Sequence, residues 1–561
     1  MLRLFPTNQI RQVQELEGDW DFQPIEQNEG IPRDYHYRLP VPGCWEMHPE
    51  LLTYRGKGVY RKIITLHETT SVRLLFKGVS HTAVIYFDGE EVGFHYNAYT
   101  PFTTKVITDA APGSHEIVVV VDNSFTKESK LHFANDYYTY GGIIRPVGIE
   151  CISDVYINRI QFTPSWKDGQ WHGEASVYVT NASRNPTEVE LKGTLGEFAL
   201  QWKKQIIASG ETSVFRVSSA FPNVKIWSNK TPNMYLVNVQ LFRDGNKKPS
   251  DDLIERIGFR EVTTFNGKIQ VNGEDIILKG FNRHEDHPMV GAAFPYQLMV
   301  QDMELMLEAG SNAVRTSHYP NDERFLDLCD ERGVFVWEEN HARGFQLDHM
   351  LDPQCQEQCM VCNQEMVENH FNHPSIIMWG ILNECASNTI EGKELYRQQL
   401  EQIRGMDRSR PLTYATHHRE QELCFDLADI VSFNLYPGWY TNEDPGELSD
   451  KARKWADELG GLGKPMIMSE FGGDGYYGLR DPNKVRGTEE RQAEIIEQNL
   501  AAYTSKPYIS GMFIWQFCDC KVVEDTGWLL SRAGTQNSKG IVDRYRRPKL
   551  AFEIVKKYFR E

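Results

Sequence analysis

No apolar run in this 561-residue chain is long enough to span a bilayer. Its start, Met1-Leu2-Arg3-Leu4-Phe5-Pro6, lacks the longer apolar core of a signal peptide. A cytoplasmic location is therefore expected, and the sequons Asn181-Ala182-Ser183 and Asn229-Lys230-Thr231 then carry little meaning. Positive charge is in deficit. The net charge of −18 argues against nucleic acid as a partner and for solubility. Cysteine is sparse, and ten in an intracellular chain of this length read as free thiols. Cys355, Cys359 and Cys362 are spaced C-x3-C-x2-C, as in a cluster-binding loop. Yet Glu357, Met360, Glu365, Met366 and Glu368 continue a helical pattern around them, and i, i+4, i+7 is simply one helix face. No set of side chains has metal-ligand spacing, so neither a metal nor another cofactor is expected. Internal repeats and low-complexity segments are absent as well.

What is present is a large core. Hydrophobic residues make up 40% and aromatic residues 12%, with twelve Trp and twenty-five Tyr. Most of these rings must be core, although aromatic platforms also suit sugars. The length calls for a few domains. Residues 1–152 read as β-structure. Val72–Phe76, Ala83–Phe87 and Ile117–Val121 are strands, and Asp88-Gly89 marks a hairpin. This predicts a β-sandwich closing in the polar aromatic loop Asp136–Val147. Residues 153–264 alternate again, at Ser176–Val179, Val214–Val217 and Tyr235–Leu241, as in an immunoglobulin-like sandwich. From 265 to 561 strands and helices alternate. Strands ending near His284, His318, Asn340, Glu384, His417, Tyr436, Phe471 and Phe517 predict a (β/α)8 TIM barrel. Helical patterns lie between them, as at 296–309 and 489–502.

Two of these strands share one grammar. Ile376–Leu382 is an apolar run that ends in Asn383-Glu384, and Pro465–Met468 runs into Ser469-Glu470. Runs this apolar suit parallel strands covered on both faces, and barrels place their chemistry at the C-terminal tips of such strands. Two strand-end glutamates far apart in sequence suggest the paired carboxylates of glycoside hydrolysis.

Several motifs then resemble glycoside hydrolase family 2, and within it the β-glucuronidases, gut bacterial ones included. They are Gly141-Gly142-Ile143-Ile144-Arg145-Pro146-Val147, Ile257-Gly258-Phe259-Arg260, Asn282-Arg283-His284-Glu285-Asp286, Arg315-Thr316-Ser317-His318-Tyr319-Pro320, Asn383-Glu384 and Ser469-Glu470-Phe471-Gly472. The resemblance covers the whole chain and implies the same domain order, the first domain being jelly-roll and sugar-binding-like. Asn537-Ser538-Lys539-Gly540 looks like the Asn-x-Lys signature of members that recognise a sugar carboxylate. A lysine ammonium beside an amide donor can hold such an anion.

The resemblance implies a retaining, exo-acting hydrolase of β-D-glucuronides, without a cofactor, with a uronide as small-molecule partner. A β-galacturonidase or dual-specificity β-hexuronidase is the alternative, and a non-catalytic carbohydrate-binding protein the alternative of another class. A homo-oligomer is expected. Glu470 is the expected nucleophile and Glu384 the acid/base, with carboxyls roughly 5–5.5 Å apart and the Glu384 pKa raised by Glu470. Asn383 should bond the sugar 2-hydroxyl. Ring contacts are implied for Asp136, His318, Asn434, Tyr436, Tyr440, Trp515 and Arg532. Two positions depart from the family. Cys385 stands where Pro is common, and Arg343 lies on the loop after the third barrel strand where the position looks uncharged in similar glucuronidases. Arg343 reads either as a surface residue paired with a carboxylate, or as a donor fork aimed at the sugar's C4 side or its carboxylate.

Overall fold

The computed structural model describes residues 1–523 and 532–561. An N-terminal sandwich comes first. One antiparallel sheet runs Tyr37–Val41, Gly18–Ile25, Lys57–Leu66, Gly113–Asp122, Thr82–Phe87, Glu90–Tyr96 in spatial order. It packs on a second sheet built around Thr70–Phe76 and Val147–Ile152 through an apolar core that includes Trp20, Phe22, Phe76 and Val119. The Asp88-Gly89 hairpin forms as expected. Phe87 pairs with Glu90, and both turn residues have positive φ (50° and 83°), the requirement that selects Asp-Gly.

An immunoglobulin-like pair of sheets follows. Val155–Lys167, Gln170–Asn181 and Thr212–Phe221 face a sheet centred on Thr187–Leu195 and Tyr235–Arg243. A small antiparallel sheet, Val262–Phe265, Lys268–Val271 and Glu274–Ile276, then covers one end of the barrel. Its Val262, Ile269 and Val271 join Trp227 and the barrel residues Phe335, Trp337, Ile377 and Phe513 in one apolar cluster.

The barrel strands are, in order, Leu278–Asn282, Ala313–Thr316, Phe335–Glu339, Ile376–Gly380, the split pair Leu412–Thr413 and Ala415–Thr416, Val431–Asn434, Met466–Phe471 and Ile509–Ile514. The first strand pairs in parallel with both the second and the eighth, so the sheet closes on itself. The fifth strand is the irregular one. Its first piece pairs the fourth strand and its second piece the sixth. The predicted helices are Tyr296–Glu308 and Glu489–Thr504. The three spaced cysteines lie within the helix Pro353–His370, and each is buried. No helix among the described residues is long and apolar enough to cross a membrane.

The motif arginines fasten these bodies together. Arg145 of the sandwich donates to Glu285 Oε2 and to the Pro320 carbonyl, both at 2.8 Å, while Arg260 donates to the carbonyls of Pro374 and Ile376. The first residues of the chain cross over too. Arg3 bonds Asp327 of the barrel, and the backbone N–H groups of Gln9, Ile10 and Arg11 donate to Asp252.

Candidate active site

Seven parallel strands deliver polar side chains to one end of the barrel, where each apolar run ends. At its centre is Arg315, fully buried at the end of the second strand and lying over the Trp337 ring. Its guanidinium donates to both oxygens of Glu339 (2.8 and 3.0 Å), to Glu470 Oε1 (2.9 Å), to Asn282 Oδ1 (2.9 Å) and to Asn383 Oδ1 (2.8 Å). From the second strand, one cation thus fixes groups of the first, third and seventh strands and of the loop after the fourth. Burying that many charges demands such pairing.

Glu470 lies within the seventh strand. Its Oε1 accepts from Arg315 and its Oε2 from the Tyr436 hydroxyl at 2.7 Å. Glu384 and Asn383 are not on the fourth strand, which ends at Gly380, but on the loop beyond it. There Leu382 and Glu384 take positive φ (45° and 52°), which turns the acid towards the pocket. Asn434 Nδ2 donates to Glu384 Oε1 at 2.9 Å and to Asn383 Oδ1 at 3.0 Å, and its own Oδ1 accepts from Ser469. Asn434 therefore holds the two loop residues in register. Asn383 Nδ2 is buried without a partner among the described residues, a donor left for something in the pocket.

The two carboxyls differ in surroundings. Glu470 is 5% exposed and Glu384 21%, so Glu384 faces the mouth. Burial first, then the charge of Glu384, pushes the Glu470 carboxyl up to about 7, against the pull of Arg315 and Tyr436.

His318 Nδ1–H donates to Glu339 Oε1 (2.7 Å), and its other nitrogen lies 3.8 Å from Glu470 Oε1. Its ring stacks on Trp515, with centroids 4.9 Å apart. Burial and the cations Arg315 and Arg343 keep His318 well below the usual imidazole range, so it is neutral. Trp515 and Tyr436 each lie just past their strand ends, where rings line a site instead of a core.

Linked to Glu470 through Tyr436 and Tyr440 is a second charged cluster. Lys539 Nζ, 1% exposed, donates to Asp474 Oδ1 at 3.0 Å, and the ammonium sits 5.1 Å from the Trp439 ring centre. Asp136 arrives from the sandwich and bridges the two bodies. It accepts from Arg532 Nε (3.0 Å) and Nη2 (2.5 Å) and from Asn537 Nδ2 (2.9 Å). One N–H of the Asn537 amide is thus engaged by Asp136, and the amide carries a second. Tyr440 is 60% exposed at the rim, its ring 5.1 Å from that of Tyr436.

Arg343 is not the ion-paired surface residue of one expectation. Among the described residues its guanidinium makes no ion pair, and Nε is buried without a partner. Its backbone bridges Asn383, and its cation is felt by Glu384, Tyr137, Asp136 and Glu470. Cys385 does work that a proline could not. Its sulfur accepts from the Phe345 N–H at 3.4 Å, and its thiol reaches the Asn383 carbonyl at 3.4 Å, which joins the third- and fourth-strand loops.

The structure brings every expected site residue to this end of the barrel. Sequence reasoning missed Asp474, Glu339 and the central role of Arg315. Arg315 stood inside a quoted motif, Glu339 at a strand end like Glu384, and Asp474 among glycines that read as a turn. A buried trio elsewhere, Asp327, Asp330 and His373, has ligand-like spacing. Its carboxylates already take hydrogen bonds from Arg3, His373 and Ser375, which makes it an ion-paired seam.

Comparison with known proteins follows the same three bodies. Residues 13–151 match the sugar binding domain of glycosyl hydrolases family 2, residues 155–260 a further domain of that family, and residues 262–561 its TIM barrel domain. A β-glucuronidase of Paenibacillus borealis is 26% identical over 99% of this chain and 98% of its own length. A β-galacturonidase of Eisenbergiella tayi bound to galacturonate is 42% identical, with a TM-score of 0.95 over 100% of this chain and 99% of that one. A Ruminococcus gnavus β-glucuronidase in complex with a C6-substituted uronic isofagomine is 25% identical, with a TM-score of 0.84 over 99% of each chain. With its barrel carboxylates, its sandwich-borne aspartate and all three domains accounted for, the chain belongs to glycoside hydrolase family 2 and is a glycosidase.

Proposed function

We propose that this chain is a retaining, exo-acting β-uronidase that hydrolyses β-D-glucuronides, with domains at 1–152, 153–264 and 265–561. The observation that carries the reading is the buried Lys539–Asp474 and Arg532–Asp136 cluster beside the Glu384–Glu470 pair. A neutral hexoside has no use for buried cations at this place, whereas the C6 carboxylate of a uronide can accept from Lys539 and Arg532 beside their protein carboxylates. Relatives named as β-glucuronidases over nearly the whole chain support the glucuronide.

In the first step Glu470 attacks the anomeric carbon as the sugar–oxygen bond breaks, and Glu384 gives its proton to the departing oxygen. In the second, Glu384 takes a proton from water, the water oxygen attacks the anomeric carbon, and Glu470 leaves as carboxylate. Asn383 Nδ2, unpartnered among the described residues, donates to the 2-hydroxyl. Neutral His318 and the Trp515 ring frame the sugar.

A second reading, β-galacturonidase or dual action on both epimers, is favoured by two observations. The Eisenbergiella tayi β-galacturonidase is 42% identical over the full length, against 25–27% for the β-glucuronidases named above and their kin. Arg343 offers a guanidinium without an ion pair among the described residues, which can donate to an axial C4 hydroxyl. The test is a parallel assay on p-nitrophenyl β-glucuronide and β-galacturonide with wild type and Arg343→Leu. Turnover of neither would leave the non-catalytic carbohydrate-binding reading. Loss confined to galacturonide assigns Arg343 to C4, equal loss assigns it to the carboxylate, and no change removes it from the site.

A further inference from the structure

The loop after the fifth strand carries a side chain that the chemistry above does not use. His417, the first residue beyond Ala415–Thr416, brings Nδ1 to 3.7 Å from Glu384 Oε1 and is half exposed. Among the described residues this imidazole has no hydrogen-bond partner. Its orientation is nevertheless set. The adjacent His418 donates from Nε2 to the Cys385 carbonyl at 2.9 Å, which pins that ring to the acid/base loop. The two rings lie 4.4 Å apart.

Position then decides what His417 meets. Glu384 is the more exposed of the two carboxyls and protonates the departing oxygen. The leaving group therefore lies along its outer flank, away from Glu470. His417 stands against that carboxylate from a loop outside the sugar-facing set. The segment His417-His418-Arg419-Glu420-Gln421-Glu422 contains no apolar side chain. At that flank His417 presents imidazole nitrogens to which a leaving group bearing hydroxyls can hydrogen-bond.

We propose that His417 belongs to the leaving-group subsite and hydrogen-bonds an oxygen of a hydroxylated leaving group, so that the substrate is a uronyl saccharide. This rests on the uronidase reading above and extends it to the other side of the scissile bond.

The test compares kcat/KM for two substrates of one uronic acid: a disaccharide with the β-uronide linked to a hexose, and the p-nitrophenyl β-uronide. His417→Ala should lose roughly ten-fold more on the disaccharide than on the aryl substrate, the range of one ordinary hydrogen bond. His417→Asn, which keeps a donor, should recover part of that ratio. Equal losses on both substrates would overturn the proposal, because His417 would then be acting through Glu384. An unchanged ratio in both variants would overturn it too. Wild-type protein that cleaves neither substrate would instead remove the uronidase reading itself.

Discussion

Single side chains set the chemistry, and the sharpest consequence concerns Glu470. A nucleophile must be ionised. With its carboxyl at about 7, Glu470 is protonated and inactive below that pH, so kcat/KM on an aryl uronide should rise with pH up to about 7. Glu384→Gln removes the neighbouring anion that helps raise it. In that variant, assayed on an activated phenol that needs little protonation, the acid limb should move down by roughly one pH unit. A limb that stays in place would show that burial alone sets the value. Glu470→Gln should leave no more than a trace of turnover. Lys539→Ala removes the cation of the second cluster, and should slow the uronide by on the order of ten- to a hundred-fold, while narrowing its advantage over the neutral glucoside. Selectivity that does not change would mean the carboxylate is held elsewhere. These candidate residues were legible because an apolar run that stops at an acid marks the tip of a buried strand, where a carboxylate is costly to keep without a use. Asp474 and Asp136 were not equally so. Both are counter-ions to cations far away in sequence, and only the closed barrel and the docked sandwich bring them within 3.5 Å of Arg532.

Elements were read well where one physical signal dominated. Buried parallel strands gave unbroken apolar runs, and cysteine spacing gave a helix face. Two features escaped. The fifth strand is split around Tyr414, whose hydroxyl donates to Glu422, and no periodicity announces such a break. The acid/base loop depends on positive φ at Leu382 and Glu384, residues that seldom show it. The helix Pro353–His370 offers a clean test of element-level stability. Asp352 caps it, accepting from the N–H groups of Gln354 and Cys355, and also pairs with Lys130 of the sandwich at 2.5 Å. Asp352→Ala should cost about 1 kcal/mol, nearly all from the cap, since a half-exposed ion pair contributes little. In a chain this large that amounts to about 1–2 °C in the thermal unfolding midpoint. Kinetic constants on the aryl uronide should not change, because Asp352 lies outside the pocket. A drop in kcat without a drop in midpoint would contradict a purely structural cap.

At the scale of the whole molecule, the site exists only while the sandwich stays docked, because Asp136 crosses from one body to hold Arg532 and Asn537 of the other. The docking seam is aromatic and unusually rich in histidine. His81 stacks on His132 at 4.5 Å, His132 meets His341 at 4.4 Å, Tyr137 lies 4.7 Å from His284, and Tyr99 stacks on Tyr319 at 3.8 Å. Burial, with Arg55, Arg315 and Arg343 nearby, holds these imidazoles neutral. His81 is lowered to about 4, His284 and His341 to about 3, and His132 falls well below its usual value. The sign follows from linkage. Below about 6.5 the unfolded chain takes up protons that the folded seam refuses, so stability falls with falling pH. For His81 at pH 4.5 this is about 2–3 kcal/mol. Raised carboxyls oppose it. Glu46 at about 8, with Asp519 and Glu470 at about 7, stabilise the fold at acid pH and lose that contribution as pH rises towards 8. The opposing terms sit in different places, so global midpoints would blur them and a local measurement separates them. Hydrogen exchange, corrected for intrinsic rate, should show the seam segments 96–99, 132–140 and 341–345 losing protection between pH 7 and 4.5. The immunoglobulin-like sheets, whose one histidine is the part-exposed His172, should keep theirs over the same range. Uronidase activity should fail with the seam, because Asp136 departs with the sandwich. Seam and immunoglobulin-like segments opening together would mean that acid unfolds the whole chain, and that the histidines do not govern docking.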